Sequence, residues 1–284
     1  MNNIEFESGT YGTKAVIRTA WDESFFQVLM DKNVVELELN DGKGWRGDSV
    51  DFLRSFPQLK ALTLFDFKIK SISAIHHLNE LIEIKLSTYS DEPVDFSLFP
   101  NLRVCSFEWI KGSTSLFNST GLTSLFINSF NEKSSVLFSK LINLEQLAVL
   151  NAPVENINGF FTLTKLKYLR IANLKKITSV EGIAHLQQLE KLEIHSCKGI
   201  NNVSEIFTLT KLKHLFLLDI GNIASIKGIE HLSDLRDFIF YESTNVLDGD
   251  ISPVLKLKNL TKISYQNRKH YTHKREEFGK MYFQ

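Results

Sequence analysis

The sequence predicts an α/β solenoid, a curved horseshoe. Short parallel strands line its concave sheet, and short 3₁₀ or extended crossings return over its convex side. Three observations carry the prediction. A hydrophobic residue, two variable residues, a second hydrophobic residue, one variable residue and a third hydrophobic residue recur eleven times, most clearly as Leu166-Leu169-Ile171, Leu189-Leu192-Ile194 and Leu212-Leu215-Leu217. The other copies start at Val34, Leu59, Leu81, Leu102, Leu122, Leu144, Leu235 and Leu260, so successive starts lie 20 to 25 residues apart. A fixed period in that range marks stacked repeats. Within each copy, strand alternation sends Leu169 and Ile171 inward and Tyr168, Arg170 and Ala172 outward.

The elements follow in chain order. Stacked repeats expose core at both ends and need caps. Residues 1–33 supply the first, with an irregular leading strand in KAVIRTAW and a short helix in ESFFQVLMDK. Asp22 is placed to cap that helix, and Phe25, Phe26, Leu29 and Met30 to cover the first repeat. Residues 34–267 form the solenoid of about eleven repeats. DGKGWRGDS (41–49) lacks phosphate-loop spacing and reads as the loop after the first repeat strand. In the crossing Leu174-K-K-Ile177-T-S-Val180-E-G-Ile183, apolar residues recur every third position, which suits 3₁₀ or extended backbone. EKSSVLFSKLINL (132–144) reads as more helical. Residues 268–284 leave the pattern as a basic cap or tail, with Phe278, Met281, Tyr282 and Phe283 available to fold back.

The L-x-x-L-x-L spacing from 34 to 265 resembles the leucine-rich-repeat family, in particular the bacterial internalin-like class with units of about 22 residues. That family usually carries Asn three residues after the third hydrophobic position. Here those positions hold Phe67, Tyr89, Ile110, Phe130, Ala152, Leu174, Cys197, Ile220 and Ser243. Apolar packing is therefore expected to replace the asparagine ladder, with less regular turns and a bulkier interior. The resemblance implies a protein-binding solenoid, in the role of a toxin-neutralising immunity protein, a translocated effector or a regulatory scaffold.

Composition narrows the function classes. No apolar run reaches transmembrane length, and the first residues lack the basic and apolar regions of a signal peptide. Cys105 and Cys197 lie four repeats apart, roughly 19 Å at strand spacing, too far for a disulfide. These features predict a cytoplasmic protein, monomeric when free. No catalytic signature stands out, so a non-enzymatic role without cofactor or metal is expected. The formal charge is zero but asymmetric: residues 1–150 hold 14 Lys and Arg against 19 Asp and Glu, and residues 151–284 the reverse, 19 against 14.

Outward strand positions carry the functional reading. Phe65, Trp109, Phe126, Tyr168, Phe216, Ile239 and Tyr241, set among Arg170 and His214, are large groups that a purely solvated face would not need. The concave face is therefore the expected docking surface. Its acidic N-terminal wall, Glu36, Glu38, Asp66 and Glu83 with Glu108, would suit a basic partner such as a nuclease. An alternative places anion or nucleic-acid binding on Arg268, Lys269, His270, His273, Lys274 and Arg275, interleaved with Tyr271. Overall neutrality and the adjacent Glu276 and Glu277 weigh against it.

Overall fold

The computed structural model describes residues 3–281. They belong to two compact units, Met1–Ile127 and Asn128–Gln284. In the first, β1 (Ile4–Ser8) and β2 (Thr13–Ile17) form an antiparallel hairpin, followed by α1 (Ser24–Asp31). β2 then pairs in parallel with β3 (Val34–Asn40), and β4 (Ala61–Asp66), β5 (Glu83–Thr88), β6 (Val104–Glu108) and β7 (Ser124–Asn128) follow in sheet order. In the second unit the sheet order is β8 (Gln146–Leu150), β9 (Tyr168–Ala172), β10 (Lys191–His195), β11 (His214–Leu218), β13 (Asp237–Tyr241) and β15 (Lys262–Tyr265). Two short strands, β12 (Asn222–Ile223) and β14 (Asn245–Val246), pair separately.

Register explains why the pattern is so strict. Leu147, Leu169, Leu192, Leu215, Phe238 and Ile263 are successive partners, as are Val149, Ile171, Ile194, Leu217, Phe240 and Tyr265. All are buried. A one-residue slip would turn both rows out of the core, so the side-chain rows fix the stacking. The crossings are 3₁₀ turns, such as Asp51–Ser55 and Ser73–His77 in the first unit and Ser204–Thr208 and Ile229–His231 in the second. The segment expected to be more helical is also only a 3₁₀ turn, Val136–Lys140. Phe138 N bonds Ser135 O and Leu141 N bonds Phe138 O, three residues back in each case, so every third side chain packs inward.

The absent asparagines are replaced in two ways. Ile110, Phe130, Ala152, Leu174, Cys197 and Ile220 are indeed buried, whereas Phe67 and Tyr89 point to solvent and pack on each other at 4.9 Å. The bulkier interior therefore does not extend to those two positions. Polar compensation comes from buried hydroxyls: Ser113 Oγ accepts from Val94 N, Ser135 Oγ from Gly159 N and Thr244 Oγ1 from Ile220 N. In the second unit a further ladder stands one residue earlier than the family's asparagine position. Ser129, Asn151, Asn173, Ser196, Asp219 and Glu242 all adopt positive φ, between 50° and 60°. The Asn151, Asn173 and Ser196 amides donate to the last carbonyl of the following strand, at Ala172, His195 and Leu218. Asn and Asp tolerate this left-handed backbone better than most residues.

The ends differ from expectation in detail. Asp22 Oδ1 accepts from Ser24 N within the turn before α1. Phe25 and Leu29 are buried and Phe26 lies 5.3 Å from Phe56, while Met30, 40% exposed, meets the first repeat through Gln58 at 3.5 Å. Residues 268–278 fold onto the last repeats: Phe278 is buried, Tyr271 OH accepts from Val246 N, and Tyr265 OH donates to His273 O. Tyr282 and Phe283, together with the Met281 side chain, lie outside the described residues. Cys105 and Cys197 are free, buried thiols, and burial pushes Cys197 up to about 11.

Candidate protein-binding face

The sheet face opposite the 3₁₀ crossings carries the outward side chains. In the first unit it is not the acidic wall expected from alternation. The β1–β2 turn covers it. Glu36 accepts from the Tyr11 backbone N–H and is buried, and Tyr11 OH donates to Glu83 at 3.2 Å. Burial, then Glu83, pushes the Tyr11 phenol up to about 12. Glu38 is buried between Lys14 at 2.6 Å and Lys43 at 2.9 Å. Asp66, 2% exposed, accepts from Lys68 N and Ile69 N and closes the turn after β4. Glu83 is half-buried and pairs with Lys85 at 2.7 Å. Glu36, Glu38 and Asp66 are thus structural carboxylates with internal partners, and no docking group for a basic partner.

Glu38 gives the cap a pH signature. Burial raises its carboxyl, but hydrogen bonds from Lys14 and Lys43 outweigh this and hold it below its ordinary value. The stabilisation is complete above the ordinary Glu value of about 4.3 and is lost as pH falls through the depressed folded value. Glu38→Gln should cost about 1–2 kcal/mol at neutral pH, reduced because Lys43 is partly solvated, and should flatten that acid limb. Acid titrations followed by circular dichroism, with and without the substitution, check this. An unchanged acid limb would remove Glu38 from the account.

The aromatic positions divide. Trp109 is buried, with its ring 6.0 Å from those of Phe107 and Phe117. It follows the last residue of β6, where alternation has ended, and it belongs to the core. Phe65 is half-buried on β4, and Phe126 is 36% exposed on β7.

The second unit gathers the remaining predicted residues. Across its strands run three outward rows: Tyr168, Lys191, His214 and Asp237; then Arg170, Glu193, Phe216 and Ile239; then Ala172, His195, Leu218 and Tyr241. Tyr168, Arg170, His214, Phe216 and Ile239 are half-buried and Tyr241 is 38% exposed. His214 Nδ1 meets Asp237 at 2.7 Å. The Lys191 ammonium lies 5.2 Å from the Tyr168 ring and 5.4 Å from that of Phe216. Glu193, which sequence reasoning did not single out, is buried beneath Lys191 at 2.7 Å, His195 at 3.5 Å and Arg170 at 3.6 Å. Burial, then Arg170, lowers His195 below its ordinary value. The positions of Glu193 and His195 on one strand, two residues apart, were the available signal.

The basic segment packs on the last repeats, and its donors are largely committed. Arg268 donates to the Glu242 and Thr244 carbonyls, His270 Nε2 meets Val246 O, His273 Nδ1 meets Thr272 Oγ1 and Arg275 pairs with Glu276 at 3.2 Å. Lys269 and Lys274 remain exposed. The structure does not assemble these six residues into one open anion surface. Among the described residues, no group of His, Cys, Asp and Glu is arranged to hold a metal ion.

Comparison with known proteins agrees with this geometry. An internalin (InlF) from Listeria monocytogenes superimposes with a TM-score of 0.66 at 21% identity, covering 90% of this chain and 83% of its own. The fold is that of the leucine-rich-repeat proteins. A leucine-rich-repeat protein of Leptospira interrogans gives a TM-score of 0.59 at 17% identity, covering 89% of this chain and 72% of that one. The Arabidopsis receptor kinase HAESA, solved in complex with the peptide hormone IDA and the co-receptor SERK1, gives 0.60 at 16% identity, covering 83% of this chain and 43% of that one. No family model and no curated protein matches the sequence. Among the described residues, no helix of this leucine-rich-repeat fold is long and apolar enough to cross a membrane.

Proposed function

We propose that the chain is a non-catalytic scaffold that captures a partner protein on the solvent face of its sheet. The observation that carries this reading is the apolar block Phe216, Ile239, Leu218 and Tyr241, left partly open to solvent on adjacent, register-matched strands and bordered by charged groups. Clustered aromatic and aliphatic groups inside a polar rim are the usual anatomy of an interface core. The peptide complex of HAESA, which shares the fold, supports the same use of a repeat scaffold. Two unpaired buried thiols support a reducing, cytoplasmic setting. Within this reading the chain acts as a toxin-neutralising immunity protein. Its test is whether co-expression relieves the toxicity of a domain encoded next to it. An effector or a regulatory scaffold would instead capture a partner that is not toxic.

The docking face is tested by separating stability from capture. Phe126→Ala, Tyr168→Ala and Phe216→Ala should leave melting nearly unchanged. Those lying at the interface centre should weaken capture of the partner recovered from native cells by about 2 kcal/mol or more. Leu169→Ala, on the inward side of the same strand as Tyr168, should cost roughly 2–5 kcal/mol of stability. Full capture by all three outward variants would move recognition to the crossings or the caps.

A further inference from the structure

We propose that the face formed by β9, β10, β11 and β13 takes an acidic, apolar-rich extended segment of a protein. Its carboxylate would be held by Arg170 and Lys191, and its apolar side chains would lie on Phe216 and Ile239. This rests on the docking-face reading and fixes the chemistry of the occupant.

The argument begins with donors and acceptors. The two carboxylates on this face are already engaged: Asp237 by His214 at 2.7 Å, and Glu193 by Lys191, His195 and Arg170 together. One buried carboxylate between the Lys191 ammonium and the Arg170 guanidinium leaves donors in excess. Arg170 Nε and His195 Nε2 approach Glu193 only at 3.6 and 3.5 Å, and neither atom makes a hydrogen bond. The Arg170 guanidinium is always a donor, and an incoming carboxylate offers it two oxygens. Lys191 is already positioned, its ammonium between the Tyr168 and Phe216 rings. Immediately across the strands, in the same row as Arg170 and Glu193, come Phe216 and Ile239. A carboxylate and an apolar side chain on one segment would therefore meet both halves of the row.

Long-range charge points the same way. The second unit, residues 128–284, holds 21 Lys and Arg against 16 Asp and Glu, a net of +5. In the first unit, Glu36, Glu38 and Asp66 are buried with partners of their own: the Tyr11 N–H, the Lys14 and Lys43 ammoniums, and the Lys68 and Ile69 N–H groups. These four strands span three spacings of about 4.8 Å, roughly 14 Å, the reach of about four extended residues. The apolar half of the row favours a polypeptide over a nucleic acid, whose phosphates would find no partner on Phe216 and Ile239.

The test is selection of random peptides of about twelve residues, long enough to cross the strands, against the full chain. The expected result is enrichment of Asp or Glu next to Leu, Ile or Phe. Binding of a selected peptide should fall at least about tenfold in Arg170→Gln, Lys191→Gln and Ile239→Asp, each folded by its melting curve, and should weaken as salt rises. Basic or uncharged winners that are still lost in Ile239→Asp would overturn the acidic occupant and leave the docking face standing. No enrichment, or winners indifferent to Ile239→Asp, would overturn both. An RNA oligonucleotide that displaces the peptide and depends equally on Arg170 and Lys191 would overturn the polypeptide assignment in favour of a nucleic acid.

Discussion

Gly159→Ala should destabilise the second unit severely. A Cβ at this position would stand 1.8 Å from the Ser135 carbonyl oxygen, 2.3 Å from its carbon and 2.8 Å from Val136 N. All three are backbone atoms of the preceding crossing, so no rotamer change relieves the contact. Overpacking costs about 1–3 kcal/mol when side chains can yield, and here the loss should reach or exceed the top of that range. Separation of the two crossings would also break the bond from Gly159 N to the buried Ser135 Oγ, now 2.9 Å. Ser135→Ala isolates that second part and should cost about 1–3 kcal/mol, because it leaves a buried N–H unpaired. Urea unfolding followed by circular dichroism ranks wild type, Ser135→Ala and Gly159→Ala in that order. A Gly159→Ala midpoint equal to that of the wild type would show that the crossings part without cost.

Phe240→Ala should follow closely, at about 3–5 kcal/mol, the usual loss for a fully buried aromatic ring. The ring stacks on Tyr265 at 4.8 Å and 5°, and lies 5.0 Å from Phe238 and 6.4 Å from Tyr271. It therefore ties β13 to β15 and to the C-terminal cap. Because repeat proteins are stabilised chiefly through neighbouring interfaces, the damage should be local. Amide exchange should accelerate first in β13 and β15, while β8 and β9 keep their protection. Uniform acceleration along the second unit would mean that it opens as one cooperative block.

The repeat was legible because every strand must place two apolar side chains in register with its neighbours. That demand writes the same spacing eleven times. The hairpin was not legible. β1 offers Ile4-Glu5-Phe6-Glu7-Ser8, with little buried, and its turn is positioned by contacts such as Tyr11 to Glu83, distant in sequence. For the same reason Glu36 and Glu38 read as solvent-facing: alternation gives the face of the sheet, and says nothing of a segment folded over it. Trp109 failed at the strand end, where the period of two no longer applies. The left-handed ladder was half legible, since Asn151 and Asn173 recur at one position, but Ser196, Asp219 and Glu242 share it without sharing a side-chain type. On the second unit, alternation gave Tyr168, Arg170, Phe216 and Ile239 the right face. Glu193 became prominent only once Lys191, Arg170 and the His195 ring were seen to converge on it.

The hairpin at the start of the chain also bears on how separate molecules meet. A stack of parallel strands ends in a row of unpaired backbone groups, and another copy could extend it indefinitely. Among the described residues the outermost strand on this side, β1, runs antiparallel to β2, carries Glu5 and Glu7 and is largely exposed. A parallel repeat arriving from another molecule would find the wrong strand direction and a border of ion pairs, Glu5 with Arg18 and Glu7 with Lys14. Loss of residues 1–12 would leave β2 as the border, with Ala15, Val16 and Ile17 no longer shielded on that side. The hairpin whose turn covers Glu36 thus also gives this border an antiparallel strand, a direction that a stacked parallel repeat does not continue.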